Sequence, residues 1–96
     1  MAAYLHAQIE VTDPAGYEEY RRQVPAIIAA HGGRYLVRGG ASTLLEGDAL
    51  PLPRQVILEF PDMAALLGFY RSAEYQPLIE LRQRCSRGRI TAIEGV

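Results

Sequence analysis

The hydrophobic period of this chain changes from two residues to about 3.6 and back, twice, within 96 residues, and that order leaves few folds open. Tyr4 to Val11 alternates, with Leu5, Ala7, Ile9 and Val11 on one face and Tyr4, His6, Gln8 and Glu10 on the other, which predicts a half-buried strand. Thr12 or Asp13 then caps a helix with Pro14 in its first turn. Its stripe is Tyr17, Tyr20, Val24, Ile27, Ile28 and His31, interrupted by Pro25, which is expected to kink it, and stopped by Gly32-Gly33.

Arg34 to Arg38 reads as a second strand, and Ser42 to Glu46 as a resumption of extended structure. Gly39-Gly40-Ala41 between them predicts a bulge, or a tight turn into a separate short strand. Gly47 to Pro53 is a loop, and Arg54 to Phe60 an interior strand with Val56, Leu58 and Phe60 on one face. Pro61-Asp62 opens a helix with the stripe Met63, Leu66, Leu67 and Tyr70. The helical phase breaks near Ser72-Ala73, Pro77 starts a new segment running to about Ser86, and Arg89 to Glu94 forms the last strand. The order is βαββαβ with a bent or split second strand, the ferredoxin-like α+β plan as one domain over residues 1–96. One sheet with helices on a single side leaves Ile57 and Ile93 among Tyr4, His6, Gln8 and Glu59 on the other, a face that a second copy is expected to cover.

Composition narrows the function classes. A net charge of -1 gives no electrostatic case for nucleic acid. All ten basic residues are arginine, so this chain offers no Schiff-base or P-loop lysine. Cys85 is the single thiol and reads as a small buried apolar group in a reducing compartment. No basic leader and no apolar run of about 20 residues is visible, so a cytoplasmic protein without a membrane partner is expected. His6, His31 and Cys85 have no metal-ligand spacing, and no histidine is presented as a haem ligand, so neither a metal nor a cofactor is expected.

The most informative single residue is Arg82, which shares a helical face with Tyr75, Leu78, Ile79 and Cys85 inside an arc of about 120°. In one reading its stem packs while the guanidinium reaches water; in the other it is a buried anion-handling group beside a pocket. In the second reading Arg82 or Arg38 is expected to reach a carboxylate, with Glu59 as the partner. Tyr17, Tyr20, Tyr70 and Tyr75 point inward by periodicity, either as a core with hydroxyls at its rim or as an aromatic pocket orienting a small planar acidic molecule. His31 in a last helical turn complements the helix dipole, whereas His6 and Glu59 are the acid or base candidates.

GGRYLVRGG at Gly32 to Gly40, with Leu45-Glu46-Gly47-Asp48, Glu59-Phe60-Pro61, Phe69-Tyr70, Ser72-Ala73-Glu74-Tyr75-Gln76 and Arg82, resembles the bacterial domain-of-unknown-function family thirteen-thirty over nearly the whole chain. Ala73 stands where that pattern has proline, and His6 lies outside it. The resemblance implies a dimeric α+β barrel and places Arg38, Glu59, Tyr70, Tyr75 and Arg82 on family-like positions. The same barrel hosts cofactor-free oxygenases, lactone isomerases and haem enzymes, an analogy of fold alone. The resulting expectation is a homodimer with a small-molecule pocket between sheet and helices, with Arg38, Arg82, Tyr20, Tyr70 and Tyr75 as ligand-binding residues. Such a protein acts as a cofactor-independent oxygenase or isomerase on a small aromatic or acidic compound; the alternative is a non-catalytic ligand-binding or dimeric accessory protein.

Overall fold

Residues 1–96 are all described by the structure, a computed structural model. Its elements run β1 (Ala3–Val11), α1 (Pro14–Ala30), β2 (Arg34–Arg38), β3 (Arg54–Phe60), α2 (Met63–Tyr70), α3 (Gln76–Cys85) and β4 (Ser86–Glu94). The strands form one antiparallel sheet in the order β2-β3-β1-β4, which is the ferredoxin-like α+β architecture. Alternation does what the sequence implies: Leu5, Ala7, Ile9, Leu58 and Phe60 are buried under the helices, while Tyr4, His6, Gln8 and Glu59 on the other face stay half-buried.

Local chemistry fixes the helix ends. Asp13 is the N-cap of α1 and accepts from the Gly16 amide, and Asp62 caps α2 by accepting from Ala65 at 2.8 Å. Neither α1 nor α3 loses a hydrogen bond to its first-turn proline, because the first turn has no intrahelical acceptor for that amide. The α1 helix continues through Pro25 as one element. Between α2 and α3, Ser72 stops the first helix by donating to the Phe69 carbonyl, and Tyr75 precedes the second. The helix α3 passes directly into β4, three residues earlier than the sequence suggests. That corner is pinned to the β1–α1 turn by the Cys85 carbonyl, which accepts from the Thr12 and Asp13 amides at 2.8 and 3.0 Å.

Two sequence expectations fail around β2. Ser42 to Glu46 pairs with no strand and lies exposed within an irregular segment from Gly39 to Pro53. Leu44 and Leu45 are adjacent rather than alternate, so the segment has no apolar face to offer a sheet. The bulge lies upstream of the glycines: the β2–β3 register passes from Tyr35↔Leu58 to Val37↔Ile57, so Leu36 is the extra residue. Gly39, at φ +76°, makes the turn that leaves the strand.

Close packing at the start of β2 gives the first testable consequence. A Cβ on Gly33 would lie 2.6 Å from Phe60 Cε1 and 2.8 Å from Ile28 Cγ2, both rings and branches of the packed core. Gly33→Ala is therefore expected to lower the unfolding free energy by about 1–3 kcal/mol in urea titration. An effect inside about 0.5 kcal/mol, the range of ordinary surface changes, would contradict this packing.

Candidate functional site

The apolar stripe of α1 stands over the sheet face of β1 and β3 without filling the space completely. A cavity of about 40 Å³ remains between them. Two tyrosines come from the helix stripe: Tyr17 and Tyr20, with ring centroids 5.5 Å apart. Tyr75 enters at the start of α3 and meets Tyr20 hydroxyl to hydroxyl at 2.6 Å. Tyr75 is also stacked on Phe69 of α2 at 4.3 Å, so the ring is held from two sides.

The bulge at Leu36 decides what β2 contributes. In an unbroken strand Arg38 would share a face with Arg34 and point away from the helices. The extra residue reverses that parity, so Tyr35 and Arg38, opposite Leu58 and Val56, both fall on the cavity side. The Arg38 guanidinium lies 4.4 Å above the Tyr35 ring, and Arg54 on β3 lies 5.5 Å from the Tyr17 ring while donating to its hydroxyl at 3.3 Å.

Arg82 is 6% exposed and lines the same cavity from α3. Its Nε and Nη2 atoms are buried with no hydrogen-bond partner. The expected pairing with Glu59 is absent. Glu59 instead accepts from Arg34 at 2.7 Å across the β2–β3 register, on the face turned away from the helices. Arg38 misses Glu59 for the same reason, since the bulge sends it to the opposite side of the sheet from that carboxylate. Four arginines, Arg21, Arg38, Arg54 and Arg82, line the cavity, and no aspartate or glutamate does. Only Arg21 has a carboxylate, Glu18 at 3.0 Å on the helix surface.

Electrostatics follows burial. Desolvation pushes the Tyr20 hydroxyl well above its ordinary range and raises Tyr75 and Tyr35, with Arg82 pulling Tyr75 back part of the way. These phenols are neutral hydrogen-bonding groups at physiological pH and not bases. Burial opposes the charge on Arg82, but the adjoining Tyr75 and Tyr20 oxygens favour it, and the guanidinium remains cationic. The site is thus an aromatic-walled cavity with fixed positive charge, suited to holding a negative group or stabilising one as it forms.

The structure brings Arg38, Arg82, Tyr20 and Tyr75 together around this cavity. Tyr70 does not line it and packs edge-on against Tyr75 at 5.8 Å. His6 and Glu59 lie across the sheet, where His6 Nε2 meets Gln55 Oε1 at 2.8 Å and the Arg34 contact holds the Glu59 carboxyl below its usual range. Sequence reasoning missed Arg54, Arg21 and Tyr35 as cavity residues. For Arg54 the signal was present, since it has the same parity as Val56, Leu58 and Phe60. Tyr35 had no such signal, because its side depends on pairing with Leu58.

Residues 2–96 match the family described as a domain of unknown function, DUF1330, and the chain belongs to that family. The fold matches a protein of unknown function from Rhodopseudomonas palustris with TM-score 0.79 at 17% identity, covering 99% of this chain and 82% of that one. It also matches a dimeric ferredoxin-like protein of unknown function from Jannaschia sp. CCS1 with TM-score 0.67 at 15% identity, over 99% of this chain and 100% of the other. SnoaB, a cofactor-independent oxygenase from Streptomyces nogalater, is similar with TM-score 0.63 at 14% identity, over 99% and 92% of the two chains. No functionally curated protein matches the chain. No helix is long and apolar enough to cross a membrane.

Proposed function

We propose that the protein binds a small planar organic anion in the cavity between sheet and helices, and that it acts there as a cofactor-independent oxygenase or isomerase by stabilising an enolate or phenolate. One observation carries the reading: a buried arginine with two unpartnered nitrogens lines a cavity whose other charged groups are also cationic. The fold likeness to a cofactor-independent oxygenase is consistent with it. In such a reaction the substrate loses its proton to solvent, because no carboxylate or histidine lines the cavity, and Arg38 and Arg82 lower the free energy of the resulting anion. That anion then either gives electrons to dioxygen or takes a proton back at another carbon.

The dimer belongs to the same proposal. Half-buried Ile57 and exposed Ile93 sit on the sheet face that has no helical cover, and a dimeric relative has the same protomer fold. Light scattering should find a dimer at micromolar concentration, and Ile57→Asp should shift it to monomer. A wild-type monomer would contradict the barrel.

A second reading, a non-catalytic binding or accessory protein, is favoured by one fact: the cavity tyrosines are pushed away from neutrality and no carboxylate lines the wall, so the cavity supplies no general base. Oxygen uptake with a panel of acidic phenols, quinols and enolisable lactones separates the two. The enzyme reading expects turnover that falls about 10²–10³-fold in Arg82→Met, the usual effect of removing one charge-stabilising donor. Tight binding without turnover selects the second reading, and the absence of binding by any anion contradicts both.

A further inference from the structure

The three buried side-chain polar atoms without a partner are Arg21 Nε, Arg82 Nε and Arg82 Nη2, and both residues line the same cavity. The identity of the Arg82 pair matters. In a guanidinium, Nη2 lies trans to Cδ, so its hydrogen and the Nε hydrogen point in parallel from one edge. That edge fits the two oxygens of a carboxylate as a two-point fork, whereas a single phenolate or enolate oxygen engages it only partly. No acidic residue lines the cavity, and the adjoining Tyr75 hydroxyl, which also pairs with Tyr20, offers Arg82 one neutral oxygen where a carboxylate offers two charged ones.

We infer, on the reading that this cavity binds an organic anion, that the ligand is an aromatic carboxylate whose carboxylate is anchored in plane on the Nε/Nη2 edge of Arg82. Size supports the orientation. The cavity volume of about 40 Å³ is well below the roughly 150 Å³ that houses a benzene ring, and it suits a head group little larger than one water molecule. The ring is left to the aromatic part of the lining, where Tyr35 and Tyr17 stand beside Arg38 and Arg54. A tetrahedral phosphate is larger, and satisfying its three oxygens requires more donors than the two on this edge. The reacting part of the ligand is then the ring and its substituents, and the carboxylate is the handle.

Calorimetric titration of the full chain with benzoate, phenyl phosphate, ionised pentafluorophenol and neutral benzamide tests this. Benzoate is expected to bind at least about tenfold tighter than any of the other three. Arg82→Lys, which keeps the charge but loses the fork, is expected to weaken benzoate by about tenfold or more and to leave the phenolate within about threefold. A phenolate or phosphate that binds better than benzoate, or an unchanged benzoate affinity in Arg82→Lys, overturns the carboxylate assignment while leaving the anion-binding cavity standing. Failure of every anion to bind the wild-type protein overturns both. Should Arg82→Lys fail to fold, the wild-type ranking decides alone.

Discussion

Arg82→Met is expected to raise the melting temperature of the ligand-free protein while removing its affinity for organic anions. Methionine keeps an apolar stem on the buried face that Arg82 shares with Leu78 and Cys85, and it removes the charge of a residue that is 6% exposed and has two nitrogens without partners. Relieving that desolvation should stabilise the fold by about 1–3 kcal/mol, a gain that corresponds to roughly 4 °C or more for a domain of this size. The sign is the decisive part. A buried ion pair broken by the same substitution would instead lose about 3–5 kcal/mol, because the orphaned carboxylate would remain. Scanning calorimetry at fixed protein concentration distinguishes the two, and a stability loss of that size would mean that Arg82 has a partner in solution. Stability withheld in this way is characteristic of a binding site, where the missing interactions are supplied by the ligand.

Phe69→Ala should give the largest loss of stability, about 3–5 kcal/mol. Phe69 is 1% exposed, and its ring stacks on Tyr75 at 4.3 Å, meets Phe60 at 5.3 Å and receives the edge of His31 at 6.0 Å. It therefore joins α2 to the end of α1, to β3 and to the start of α3 in a single contact group. Removing it leaves a hole that also opens onto the cavity between sheet and helices, so Tyr75 loses the ring on which it stacks. Urea unfolding should show a lower midpoint with an unchanged slope. A loss below about 1 kcal/mol would place the core elsewhere.

The parts of this architecture that depend on period are legible in the sequence, because burial on one side of a strand or helix is written directly into residue spacing. Leu5, Ala7 and Ile9 on β1, and Leu78, Arg82 and Cys85 on α3, fall where the spacing puts them. The helix starts at Thr12–Asp13 and at Pro61–Asp62 are legible for the same local reason, with Asp13 and Asp62 as the caps the structure shows. What escaped the sequence depends on how strands pair. Leu36 bulges without a glycine to mark it, yet that one residue turns Arg38 from the outer face into the cavity. Glu59 alternates with core residues, and only the Arg34↔Glu59 register reveals which arginine it meets. The charge on the α3 stripe was visible, but its lack of a partner was not, since an unmade hydrogen bond has no sequence signature.

Arginine side-chain NMR tests the central claim most directly. Among the side chains only arginine has an Nε–H of this kind, the chain has ten arginines, and the buried Arg82 should give a slowly exchanging signal identified by its loss in Arg82→Met. On addition of benzoate, that Nε–H resonance is expected to move downfield and saturate, with Arg38 and Arg54 responding less and Arg34, paired with Glu59 on the other face, not at all. An Arg82 signal that stays fixed while benzoate is raised to saturating concentration, or one that exchanges with water as fast as the exposed arginines, would contradict the account.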